Sequence, residues 1–472
     1  MAAGMAHLSA RMRRGEAISR RETLQMMAAL SLPAILEQVV STAMQYIDTA
    51  MVGQLGAGAT AAIGVVSSTT WLFGGLMGGL ATGFAVQIAQ YLGAQREADA
   101  RDVFRQAIRI NILAGALLGL LGLGISGFLP VWLGAEAAIR PDATAYFAVY
   151  ALNVPFQLAQ MLYSAILRCS GDARTPSIAN ALLCPLDVCF NALLIYPART
   201  VSLGGLTLRL PGAGLGVLGA ALGTAAATAI ISILLFLCVA LRPGPLALAM
   251  GGRWRFTPAC LRNLRKVALP VAAERVALSS AQVFLTRIVA PLGTVAIAAN
   301  SLAVNTEALC YLSGYGIQAA ALALVGQAVG AARPDIASRF ARWCTLAGSV
   351  LMGISGILMY LFAPWLMGLF TPDTAVIALG AQVLRVECFA EPLFGASIVA
   401  SGAMQGAGDS RAPFLLSLLS MWGVRITLAL VLVGPLGLMG VWVAMCLELC
   451  FRGIVFLVRL LRGKWLRVGA LQ

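Results

Sequence analysis

Charge is scarce in this chain. Only 11% of its 472 residues are Asp, Glu, Lys or Arg, and 60% are hydrophobic, against roughly 25% charged in a soluble protein. Such a composition cannot cover a water-facing surface, which excludes a soluble domain. Histidine is scarcer still: His7 is the single copy, and its place in a basic N-terminal segment excludes an imidazole relay inside a membrane. No nucleophile–base pair, metal cluster or phosphate-cradling glycine loop is present, so an enzyme is not expected, nor a bound cofactor. The ten cysteines form no CxxC pair. Cys184, Cys189, Cys238, Cys446 and Cys450 lie inside apolar runs and read as small core residues, not disulfides or ligands. The opening segment, "MAAGMAHLSARMRRGEAISRRETLQ", stays basic and polar for too long to be a cleaved signal and reads as a tail before the first span.

What the chain has is apolar runs of about 20 residues, recurring from end to end. With a mean hydropathy of +0.87 they predict twelve spans, near 30–53, 62–93, 107–133, 144–168, 176–197, 214–241, 267–290, 297–330, 342–370, 375–404, 413–434 and 437–459. The net charge of +14 is unevenly placed. Arg11, Arg13, Arg14, Arg20 and Arg21, then Arg96, Arg101 and Arg105, then Arg174, the group Arg253, Arg255, Arg262, Arg265 and Lys266, then Arg333 and Arg339, and finally Arg462, Lys464 and Arg467 fall on one side. The other side offers little beyond Arg140, Arg199 and Arg209. That asymmetry predicts a multi-pass plasma-membrane protein (a bacterial inner membrane) with both termini cytoplasmic. The basic residues set orientation, so nucleic acid is not an expected partner. The lipid bilayer is one, and a monomer is expected.

The chain also repeats itself. "LPAILEQVVSTAMQYIDTAMVGQLG" from Leu32 aligns without a gap on "LPVAAERVALSSAQVFLTRIVAPLG" from Leu269, 237 positions later. The same offset pairs "AQYLGAQR" from Ala89 with "GQAVGAAR" from Gly326, Pro155 with Pro392, and "GDARTP" from Gly171 with "GDSRAP" from Gly408. Six spans per half return the chain to the same side, so the halves are parallel repeats about an axis along the membrane normal, enclosing a central cavity. The expected layout is a cytoplasmic tail (1–28), an N-lobe (29–242), a cytoplasmic linker (243–265), a C-lobe (266–461) and a second cytoplasmic tail (462–472). In the paired Gly-Asp-x-Arg-x-Pro turns, Gly ends one helix, Asp caps or pairs with Arg, and Pro opens the next helix.

Twelve spans in two repeats, "IDTAMVGQLG" closing the first span, "GQAVGA" closing the eighth and the paired Gly-Asp turns together resemble the MATE family, the multidrug and toxic compound extrusion transporters. The resemblance covers nearly the whole chain. It implies a V-shaped pair of helical bundles with alternating access, exporting cationic or amphipathic small molecules in exchange for inward H⁺ or Na⁺.

Such coupling needs intramembrane carboxylates. Asp48 looks like the family's first-span Asp. Its repeat mate is Leu285, so the scaffold does not require it. Asp187 and Asn191, at i and i+4, share one face of the fifth span and can hold a proton or take Na⁺ through oxygens. The DinF-type branch of the family carries a similar pair in the reverse order. Thr224 matches a family hydroxyl nearby. These four are the expected cation-coupling residues, with Na⁺ at Asp187 and Asn191 as the alternative to H⁺. Glu37 and Glu274 are repeat mates four residues after a Pro; they either brace those turns or face the cavity. Glu307 and Glu391 are further candidates for cavity lining or substrate binding, with Glu387 expected to be neutralised by Arg385. The positions of the vibrio-type sodium acids hold Leu278 and Phe394. The competing function is a lipid-linked oligosaccharide flippase of the same superfamily, which should line its cavity with arginines to hold a pyrophosphate. The intramembrane acids outnumber the arginines, which favours cationic cargo.

Overall fold

Apolar side chains need burial or lipid, and backbone groups within a bilayer need internal partners, so long helices are the form this composition permits. The computed structural model describes residues 11–12, 14, 16–203, 206–248 and 255–468, without the side chains of 199–210, 467 and 468. His7, Arg13, Arg253 and much of the linker and both tails lie outside that set.

Twelve spans follow in chain order: α1 (Arg20–Gly53), α2 (Ala57–Gly93), α3 (Glu97–Ser126), α4 (Arg140–Cys169), α5 (Arg174–Leu194), α6 (Gly216–Leu241) and α7 (Pro258–Val289). The eighth is broken into α8 (Thr294–Glu307) and α9 (Tyr311–Gly330), and the ninth is α10 (Pro334–Gly368). The tenth is broken into α11 (Thr374–Glu387) and α12 (Glu391–Gly406). The eleventh joins α13 (Arg411–Leu418) to α14 (Ile426–Leu436) through a π-helical stretch, Leu419–Arg425, and α15 (Leu438–Arg462) is the twelfth. Nine described helices are by themselves long and apolar enough to cross a membrane. The fourth, seventh and tenth spans complete the twelve.

The connection between α5 and α6 is more ordered than a turn-rich loop. It forms an antiparallel hairpin, β1 (Pro197–Leu203) and β2 (Leu206–Ala213). "TVSL" and "LTLRL" flanking Gly204-Gly205 are the alternating pattern that a short hairpin takes.

The 237-residue repeat governs how the halves meet. Where α2 crosses α7, a Cβ on Gly79 would meet the Ala268 carbonyl at 2.9 Å and the Ala272 Cβ at 3.1 Å. In the mirrored crossing of α9 on α1, a Cβ on Gly316 would meet the Ile35 backbone N at 2.7 Å. Gly79 and Gly316 are repeat mates, as are Ala272 and Ile35. Small residues let these backbones approach closely. On the side bearing the N-terminus, one apolar cluster spans both halves, with Met26, Leu30, Ala89, Leu324, Phe340, Ala403 and Phe456 all buried. The Gly-Asp turns are built alike: Gly171 and Gly408 have φ of 99° and 90°. Asp172 accepts from the Arg174 and Thr175 N–H groups, and Asp409 from that of Ala412.

Candidate functional site

A cavity of about 850 Å³ lies between the bundles, and the first half holds a trio of polar side chains. The trio is Asp48 on α1 with Asp187 and Asn191 on α5. The Asn191 Nδ2 donates to Asp187 Oδ2 at 2.9 Å and to Asp48 Oδ1 at 3.1 Å. The Asn191 amide thus bridges the two carboxyl groups. Asp187 is fully buried and Asn191 nearly so, while Asp48 is half-buried. Among the described residues, Asp187 Oδ1 and Asn191 Oδ1 find no hydrogen-bond partner. Two buried acceptors left over beside paired carboxylates are costly unless a proton or a cation joins them.

Glycine makes this cluster possible. A Cβ on Gly223 of α6 would collide with Asn191 Oδ1, so the amide occupies space that any other residue would fill. Thr224, the next residue, lines the cavity but makes no hydrogen bond to the trio among the described residues. The dipeptide thus touches the trio with one residue and the cavity with the other. Sequence reading brought out the acids and missed Gly223, which in "LGAALGT" looks like one more packing glycine.

Glu37 and Glu274 both line the cavity, and their surroundings differ. Glu37 takes Arg168 Nη1 at 2.9 and 3.0 Å and Asn180 Nδ2 at 2.8 Å. Glu274 takes the Ser417 hydroxyl at 2.7 Å. Ser417 is the repeat mate of Asn180, whereas the mate of Arg168 is Gln405, which turns to Ser401 at 3.1 Å. Glu274 therefore has no described cation within 4 Å.

Glu307 and Glu391 correct the expectation of cavity-lining acids. Neither is among the lining residues; both are buried inside the second half with Glu387. Glu307 and Glu387 end α8 and α11, and Glu391 begins α12, so the three meet where the eighth and tenth spans break. Arg385 does not neutralise Glu387: it donates to the Tyr360 carbonyl and lies over that ring. Arg425 sits 3.9 Å from Glu448, which Arg452 holds at 2.6 Å. The charge count of the cavity also reverses. Its charged lining is Glu37 and Glu274 against Arg168, Arg275 and Arg452, because the remaining acids lie behind the wall. Two of the three arginines already have carboxylates, Glu37 and Glu448.

The family profile MatE matches residues 33–193 and 270–431, one match per repeat. Among curated proteins, a "Probable multidrug resistance protein NorM" of Thermotoga maritima is 24% identical, covering 92% of this chain and 92% of its own length. One of the same description from Xanthomonas axonopodis pv. citri is 27% identical over 91% and 92%. Among solved structures, a MOP superfamily transporter from Pyrococcus furiosus, whose binding pocket is described as of reverse polarity, superposes with a TM-score of 0.87 at 20% identity, covering 97% and 98%. A MATE transporter in a bent conformation gives 0.85 at 22% identity over 97% and 98%. The two-fold profile match and the twelve-span architecture place this chain in the MatE family, a family of transporters and not of enzymes.

Proposed function

We propose that the chain is a secondary antiporter that exports cationic or amphipathic small molecules in exchange for inward H⁺ or Na⁺. The observation that carries this reading is the Asp48–Asn191–Asp187 trio, confined to one half. The repeat mates of its members are Leu285, Leu428 and Val424, so the scaffold folds a second copy of these helices with no acid there.

The trio has one amide group for two carboxylates. With both acids ionised, like charges sit on one amide in a largely buried site; a proton or a sodium ion entering at the Asp187 and Asn191 Oδ1 atoms relieves that repulsion. Relief changes how tightly α1 and α5 hold together. Two residues before Asp48, the Tyr46 hydroxyl donates to the Asn305 carbonyl on α8, in the other half, at 3.4 Å. Charge at the trio therefore biases a helix that also touches the other half. The moving units in this reading are the N-lobe, 29–242, and the C-lobe, 266–461. The coupling ion is H⁺ or Na⁺, the membrane is the plasma membrane, and both termini are cytoplasmic. Differential ion affinity between the two facing states drives the cycle.

The cavity's three arginines favour a second reading, a lipid-pyrophosphate flippase. It stands behind efflux because only Arg275 lacks a described carboxylate partner. The test is transport of a fluorescent lipophilic cation in proteoliposomes under a pH gradient or a sodium gradient alone. Wild type should move the dye under one of them and Asp187→Asn under neither. Dye movement under neither gradient, with binding of a lipid pyrophosphate, would transfer the assignment to the flippase.

A further inference from the structure

The motif "AQYLGAQR" and its repeat "GQAVGAAR" plays no part in the trio or the cavity wall. Its residues nonetheless make a set of bonds across the molecule. Gln90, near the end of α2, donates its Nε2 to the Gly406 carbonyl at the end of α12, 3.1 Å away. Gln327, its repeat mate on α9, donates its Nε2 to the Cys169 carbonyl at the end of α4, 2.6 Å away. Gly406 is the repeat mate of Cys169, so the two bonds are one bond written twice about the pseudo-two-fold axis. All four residues are buried.

The backbones between them are in contact. A Cβ on Gly93 would strike the Gln327 carbonyl, and one on its mate Gly330 would strike the Gln90 carbonyl. The crossing thus requires glycine at the third position after each Gln. The cavity ends just here: its lining includes Ala85, Cys169, Leu322 and Gln405 and goes no further toward the N-terminal side.

We propose that Gln90 and Gln327 form a two-fold latch that closes the cavity on the side bearing the N-terminus and opens when access alternates, a proposal that rests on the alternating-access reading above. Each Gln reaches from one half to a helix-end carbonyl of the other, where the terminal carbonyls of α4 and α12 lack full intrahelical partners. A side-chain amide can let go of such a carbonyl without unfolding either helix. The latch therefore separates along the seam between the halves and leaves the halves themselves intact.

Cys169 is a native reporter, 1% exposed and at the latch. Inside-out vesicles are treated with a membrane-impermeant maleimide and the Cys169 peptide is quantified by mass spectrometry. Gln327→Leu should raise labelling about five-fold, the shift expected from losing one net hydrogen bond, and the Gln90→Leu/Gln327→Leu double variant should raise it further. Gln87→Leu, one turn earlier, is the control, since among the described residues Gln87 bonds within its own helix, to Gly83 at 3.1 Å. Its labelling should equal that of wild type. Should the double variant fail to give a monodisperse protein, Gln327→Asn, which keeps the amide and shortens its reach, takes its place. Unchanged Cys169 protection in a folded latch variant overturns the proposal. Labelling needs no cargo, so the latch and the export reading fail separately.

Discussion

A single atom position distinguishes the trio from ordinary helix packing: the Asn191 amide rests where Gly223 has no side chain. Gly223→Ala should push the amide away from both carboxylates and abolish gradient-driven dye transport, at a stability cost of about 1–3 kcal/mol. Thermal unfolding in detergent checks the second number, and transport in vesicles the first. The Glu37–Arg168 pair makes a different case. Its side chains are 13% and 17% exposed, so removing one partner leaves a mostly buried charge. Arg168→Gln should destabilise by about 2–4 kcal/mol, near the range for broken buried pairs. Glu37→Gln/Arg168→Gln should regain most of that loss, because two neutral amides can still bond each other and Asn180. If the double variant is no more stable than Arg168→Gln, the pair does not act as a unit.

At the scale of helices, the repeat transmits packing more faithfully than it transmits charge. Gly316→Val should cost about 1–3 kcal/mol, because its side chain drives into the Ile35 backbone. Gly64→Val, with nothing within 4 Å of its Cβ, should change the melting temperature little. Those crossings were legible in the sequence: the 237-residue register that aligns Pro33 with Pro270 also aligns Gly79 with Gly316. The trio was legible too, since acids are conspicuous in apolar runs and their mates are Leu285, Val424 and Leu428. The cavity's charge was not. Periodicity does not say whether an acid faces the cavity or the interior of a half, and Glu307, Glu387 and Glu391 face the interior. Nor were the helix breaks visible. Ala308-Leu309-Cys310 contains no breaker, and Pro392 follows one break while its mate Pro155 lies within the unbroken α4. A proline frees a carbonyl; whether the helix parts there depends on what surrounds it, and only the C-terminal half packs carboxyls at that point. The N-terminal half fills the mates of Glu307 and Glu387 with Thr70 and Tyr150, whose hydroxyl closes on the Thr70 carbonyl at 2.9 Å.

For the whole molecule, the asymmetry lies in which half carries the Asp48–Asn191–Asp187 trio and the symmetry lies in how the halves meet. In the proposed cycle an ion at Asp48, Asp187 and Asn191 acts on one half only, yet the seam to be opened is built from equal contributions of both. In that cycle the coupling element is α1, which holds Asp48, the Tyr46–Asn305 contact and the Ile35–Gly316 crossing on one helix. Spin labels at Arg96, exposed, and at its repeat mate Arg333, half-buried, in the turns that follow α2 and α9, read the seam. In wild type the distance between them should shift when the driving ion, H⁺ or Na⁺, is varied. In Asp187→Asn the distribution should lose that response while keeping a shape found in wild type, because the amide removes the charge that the ion would neutralise. Tyr46→Phe should keep the ion response at the trio and weaken its coupling to the distance. An ion-dependent distance that survives Asp187→Asn would mean that the ion acts elsewhere, and the buried carboxyls of the other half would be the next residues to substitute.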